Sequence, residues 1–155
     1  MSSSLQTLLD EAERQRDAAL AALLHAEEAA RRLRAQAEQL QAYRGDYHER
    51  GPTHAGRSTP IELLHCHRDF MQRLDQALAQ QQGQLQAGEA RVVQLRAALL
   101  AHEIRVASVR KLIDRRAKAL RQTIERREQK ADDEYAMRMA SARKKSVSGI
   151  PGVTP

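Results

Sequence analysis

From residue 5 to residue 47 the apolar residues recur in alternating steps of four and three: Leu5, Leu9, Ala12, Arg16, Ala19, Leu23, Ala26, Ala30, Leu33, Ala37, Leu40, Arg44 and Tyr47. Eleven of these thirteen are Leu, Ala or Tyr, and neither Pro nor Gly intervenes before Gly45. A sustained 3.5-residue repeat gathers one apolar seam along a helix, and that seam needs a partner helix to cover it. The many alanines make it narrow, so the partner is expected to approach closely.

Residues 49–60 hold two Gly and two Pro and form the only plausible break. Such a cluster ends a helix and turns the chain. Thr59 is placed to cap the next helix, with Pro60 in its first position and Glu62 three residues after the cap. A second register then runs through Leu64, His67, Met71, Leu74, Leu78, Gln81, Leu85, Gly88, Val92, Leu95, Leu99, His102, Val106, Val109, Ile113, Arg116 and Leu120. Gln81 and Gly88 interrupt it, and Gly83 and Gly88 each cost about 1 kcal/mol against Ala in a helix interior. A soft, bending middle is expected there. Past Leu120 the seam fades, although the residues remain helix formers.

The expected fold is all-α. It is a long two-helix antiparallel coiled-coil hairpin forming a single domain over residues 1–145, with a helix over 4–48, a turn over 49–60 and a helix over 61–142. Residues 146–155 hold three Ser or Thr, two Gly and two Pro and read as a disordered tail. At 1.5 Å per residue the helices measure roughly 65–70 Å and about 120 Å. The longer helix therefore overhangs the shorter by about 35 residues. A lone charged helix is marginal in water, which makes the overhang a candidate docking element.

Composition supports helices over a compact core: aromatics are 3% and charged residues 30% of the 155. The net charge of +6 is unevenly spread, since residues 91–145 carry 16 Lys/Arg against 7 Asp/Glu, a net of +9. Such a segment suits an acidic partner. A lone cysteine, Cys66, allows no internal disulfide and suits a reducing cytosol. Residues 1–10 lack the pattern of a signal peptide, and no apolar run approaches the ~18 residues of a membrane span.

No motif carries catalysis or calls for a cofactor. His65, Cys66 and His67 are consecutive, so on a helix they point about 100° apart and do not converge on one metal ion. The acidic run Asp132, Asp133 and Glu134 reads as a solvated face with helical ion pairs, and no glycine-rich phosphate loop is present. The basic run from Arg115 to Lys130 favours protein docking over nucleic acid or an anionic membrane, because acidic residues break it and the chain contains no Asn to read bases. Tyr43, Tyr47 and Phe70 are three of the four aromatics and flank the turn. They read equally as seam caps and as binding anchors.

Three features together resemble the flagellar export protein FliJ family. They are Leu40-x-x-Tyr43-x-x-x-Tyr47 before a Gly-containing linker, Phe70-x-x-x-Leu74-x-x-Ala77 after it, and Glu128-Gln129-Lys130-x-Asp132-Asp133-Glu134 near the C-terminus. The resemblance covers residues 4–140. It implies a stalk-like, non-enzymatic part of the flagellar type III export apparatus, needed for motility. Such a stalk would insert its terminal end into a hexameric export ATPase, contact the cytoplasmic linker of the export gate and escort export chaperones. It would work in the cytoplasm, peripheral to the inner membrane. By position, the resemblance assigns Gln36, Leu40, Tyr43, Tyr47, Phe70, Leu74 and Ala77 to the gate. It assigns Arg126, Arg127, Glu128, Lys130 and Glu134, more loosely, to the ATPase ring. The alternatives are the homologous injectisome stalk, a generic scaffold, or a nucleic-acid-binding coiled coil.

Overall fold

The computed structural model describes residues 2–52 and 59–148. Two α-helices, α1 (Ser2–Glu49) and α2 (Ile61–Ser148), make up nearly all of it, and no strand occurs among the described residues. They pack against each other as the expected hairpin. Three cross-helix ion pairs give the direction. Glu27 meets Arg96, Arg34 meets Glu89, and Arg44 meets Asp75, so residue numbers rise along α1 as they fall along α2.

The seam lies where the 3.5-residue repeat places it. All thirteen α1 positions of the register are buried or half-buried, as are fifteen of the seventeen on α2. The two exceptions are Arg116 and Leu120, both exposed. Leu23, Ala26, Ala30 and Val92 form a buried cluster, with Leu95 and Leu99 packed against it. Among the described residues no large side chain is fully buried, as expected when only one other helix covers a seam and water reaches both flanks.

The chain clusters into two units, Met1–Ala107 and Ser108–Pro155, and the hairpin contacts named above lie in the first. In the second, Val109 is buried and Ile113 half-buried, and every residue from 114 to 148 is exposed. Helix α2 continues through residues 146–148, which the sequence reading assigned to the tail. The rest of that tail, like residues 53–58 of the turn, lies outside the described residues.

The start of α2 differs from the expected cap by one residue. The amides of Leu63 and Leu64 both donate to the carbonyl of Pro60, at 3.1 and 3.3 Å. Pro60 therefore flanks the helix, which opens at Ile61. The Thr59 hydroxyl donates to the carbonyl of Pro52 at 3.4 Å and ties the two sides of the turn together. Glu62 stays in the first turn, where a negative charge is favoured by the helix dipole.

Helix α2 runs without a break through Gly83 and Gly88. Gly88 is a packing residue, because a Cβ there would meet Leu33 Cδ1 at 3.1 Å. The glycine makes room for a leucine where the helices come together. Gly83 has no such role, since a Cβ there would meet nothing within 4 Å. Gly83→Ala is expected to stabilise the hairpin by about 1 kcal/mol, through helix propensity and a less flexible unfolded chain. An unchanged urea midpoint would contradict this account.

Candidate partner-binding surfaces

Near the turn the rings gather on Tyr47. Its ring lies 5.1 Å from that of His67 at an interplanar angle of 12°. It lies 4.4 Å from Phe70 at 51° and 6.4 Å from Tyr43 at 30°. Tyr47 and His67 are both seam positions, so the backbone register brings them face to face. Phe70 is half-buried, while Tyr43 keeps 52% of its surface exposed. Gly51 closes the cluster from the turn. Its amide donates to the carbonyl of His48 at 3.2 Å, and a Cβ on it would come within 2.6 Å of the His67 ring. Only glycine fits without moving the imidazole.

The residues assigned to the gate divide by burial. Leu74 is buried and Leu40 half-buried, so both belong to the seam. Gln36, Tyr43 and Ala77 are exposed. Each of these three, and Phe70 with them, comes one residue before a seam position on its helix. They therefore share one flank of the hairpin, which Gln81 crosses by donating from Nε2 to Gln36 Oε1 at 3.0 Å. The same amide reaches the carbonyl of Leu33 at 3.4 Å, so the polar residue that interrupts the seam is satisfied within it.

The opposite flank carries the ion pairs. Arg44 Nε donates to Asp75 at 2.5 Å, and Arg34 to Glu89 at 2.6 Å. In each case the hydrogen bond to the carboxylate, and then its charge, raises the arginine pKa above its ordinary value. A guanidinium is already protonated throughout the range in which proteins fold. The shift therefore changes the charge state of neither arginine, and the pairs tie the two helices together across the seam. The hairpin is thus polarised, with ion pairs on one flank and aromatic and amide side chains on the other.

Sequence reasoning missed His67 as a ring partner of Tyr47. Its place in the seam register was legible, but its stacking on Tyr47 depends on side-chain geometry. Cys66 and His65 are exposed, and among the described residues no group of three or more His, Cys, Asp or Glu could hold a metal ion.

The second unit supplies the other surface. Between residues 108 and 148 it carries 13 Lys/Arg against 6 Asp/Glu, a net of +7. Arg126, Arg127, Glu128, Lys130 and Glu134 all lie on its exposed helix. They fall within nine residues and spread around the helix, so they offer a charged rod rather than a pocket. Among the described residues no helix is long and apolar enough to cross a membrane.

A family model described as "Flagellar FliJ protein" matches residues 1–145. The chain belongs to this family. The FliJ match takes in both helices and the turn between them, so it bears on the hairpin and on the basic helix alike. Membership of the FliJ family makes the chain a component of the flagellar protein export apparatus, a type III secretion system. No curated protein and no solved structure matches the chain.

Proposed function

We propose that the chain is a non-enzymatic stalk of the flagellar export ATPase, working in the cytoplasm at the inner-membrane base of the flagellum. Its basic helix docks on the hexameric ATPase and promotes assembly and turnover. Its aromatic flank engages the cytoplasmic linker of the export gate, and the stalk escorts chaperones between the two. The observation that carries the reading is the helix over residues 114–148, which is exposed at every position and net basic. A single helix of that composition gains little from its own seam and gains most from an acidic partner that covers it. Arg126, Arg127 and Lys130 supply the positive charge there, and Glu128 and Glu134 supply register.

The expected result is that adding the chain to the purified export ATPase raises hydrolysis several-fold and shifts the enzyme toward hexamers. Replacing Arg126, Arg127 and Lys130 together by Gln should remove most of that stimulation, because the contact is electrostatic. The effect should also fade as salt is raised. Unchanged hydrolysis and unchanged assembly with the wild-type chain would sink the proposal.

A further inference from the structure

Positive charge is not spread evenly along the second unit. Residues 114–134 hold 7 Lys/Arg against 6 Asp/Glu, a net of +1, whereas residues 135–148 hold Arg138, Arg143, Lys144 and Lys145 and no Asp or Glu. Acidic residues break the basic run from Arg115 to Lys130, which speaks against an anionic membrane there; past Glu134 no acid occurs. Arg143, Lys144 and Lys145 have no carboxylate three or four residues away along the helix to pair with. Cations often gather at a helix C-terminus to satisfy its last carbonyls, but here serines do so. The hydroxyl of Ser146 donates to the carbonyl of Arg143 at 2.9 Å, and that of Ser148 to the carbonyl of Lys145 at 3.1 Å.

The same segment exposes apolar side chains. Tyr135, Met137, Met139 and Val147 all keep more than half of their surface in solvent. The segment is helical throughout. At 3.6 residues per turn, Tyr135, Ala136, Met139, Ala140 and Val147 fall within about 140° of the helix circumference and make one apolar face. Met137 is the one large apolar residue off it. Lys144 stands beyond one edge of this face, and Arg138 and Lys145 beyond the other. Arg143 rises from its middle, on a stem long enough to lie along apolar surface while carrying the guanidinium clear of it.

We infer that residues 135–148 anchor the chain by lying along an anionic lipid surface. A basic helix with one apolar face binds such a surface by burying that face at the boundary between headgroups and acyl chains. Tyr135 suits this depth, because its ring is apolar and its hydroxyl polar. The four cations stand on several sides of the helix, and lipid headgroups are mobile enough to gather wherever a charge is presented. A folded acidic partner holds its carboxylates on one fixed side and leaves the other cations unmet. A nucleic acid would meet the cations through its phosphates but offers nothing to the apolar face. The segment lies on the surface and does not cross it, since among the described residues no helix is long and apolar enough to span a membrane. This contact is separate from the one proposed for Arg126, Arg127 and Lys130 and does not rest on it.

The test sediments the full-length chain with vesicles of phosphatidylcholine alone, and with vesicles of phosphatidylcholine and phosphatidylglycerol in equal parts. No ATPase is present, so the result is independent of the stalk reading. The anionic vesicles should bind the chain at least about tenfold more tightly than the neutral ones, and the difference should fade as salt is raised. Replacing Arg143, Lys144 and Lys145 together by Gln should weaken that binding on the order of a hundredfold. Tyr135→Gln with Met139→Gln, which leaves the net charge unchanged, should weaken it at least about fivefold. Thermal melting of the hairpin should not move in either variant, because all five side chains are exposed. No binding to the anionic vesicles, or equal binding to both kinds, overturns the anchor. Full binding by the Gln triple variant overturns it in favour of the basic residues before Tyr135. Full binding by the Tyr135 and Met139 variant overturns the buried face. Tighter binding to a short DNA duplex than to anionic vesicles overturns the lipid surface in favour of nucleic acid.

Discussion

Leu23→Glu is expected to unfold the hairpin, and Leu24→Glu to leave it standing. The two leucines are neighbours in sequence, but Leu23 is 7% exposed within the seam and Leu24 is 57% exposed beside it. Glutamate and leucine have similar helix propensities, so the contrast isolates burial. At Leu23 the substitution loses the packing of a buried leucine and places a carboxylate against the apolar side chains of Ala26 and Val92. The loss should be at least about 3 kcal/mol, a large share of what a thin two-helix interface supplies. At Leu24 the expected change is within about 0.5 kcal/mol. Circular dichroism melts of the two variants would decide. Equal losses at both positions would mean that the register is wrong by one residue.

Tyr47→Ala should cost about 2–3 kcal/mol in urea unfolding, whereas Tyr43→Ala should cost well under 1 kcal/mol. Tyr47 touches three rings and holds His67 against Gly51. Its removal therefore empties the cluster that closes the turn end of the seam. Among the described residues the Tyr43 ring meets that of Tyr47 alone, and half of Tyr43 is in solvent. This difference makes the pair informative about the gate. Weaker gate-linker capture by Tyr47→Ala could follow from a loosened turn, but the same loss from Tyr43→Ala, with stability intact, belongs to the interface. Capture undiminished by Tyr43→Ala together with Phe70→Ala would remove this flank from the proposed gate contact.

Most of the hairpin was legible because a 3.5-residue repeat is a geometric statement. It determines which residues face a partner before the partner is known, and every α1 seam position from Leu5 to Tyr47 followed it. It does not determine where the partner ends. Leu120 has the chemistry of Leu99 and falls in the same register, yet it is exposed, because coverage depends on tertiary packing and not on local pattern. Gly88 was misread for a related reason. Propensity assigns a mid-helix glycine a cost, while its gain, the space that Leu33 fills, lies on another helix. The aromatic flank was half legible: spacing put Tyr43, Tyr47 and Phe70 near one another, but only side-chain geometry separates the packed Tyr47 from the exposed Tyr43.

The small residues of the seam also determine girth. Ala12, Ala26 and Ala30 are buried on α1, and Gly88 takes a seam position on α2. Side chains this short let helix axes approach toward the lower end of the usual range of about 8–10 Å. With each helix about 10–12 Å across, the hairpin has a cross-section near 20 Å by 11 Å. A leucine-filled seam would be stronger and also wider. Alanine gives up some cohesion and keeps the hairpin slim.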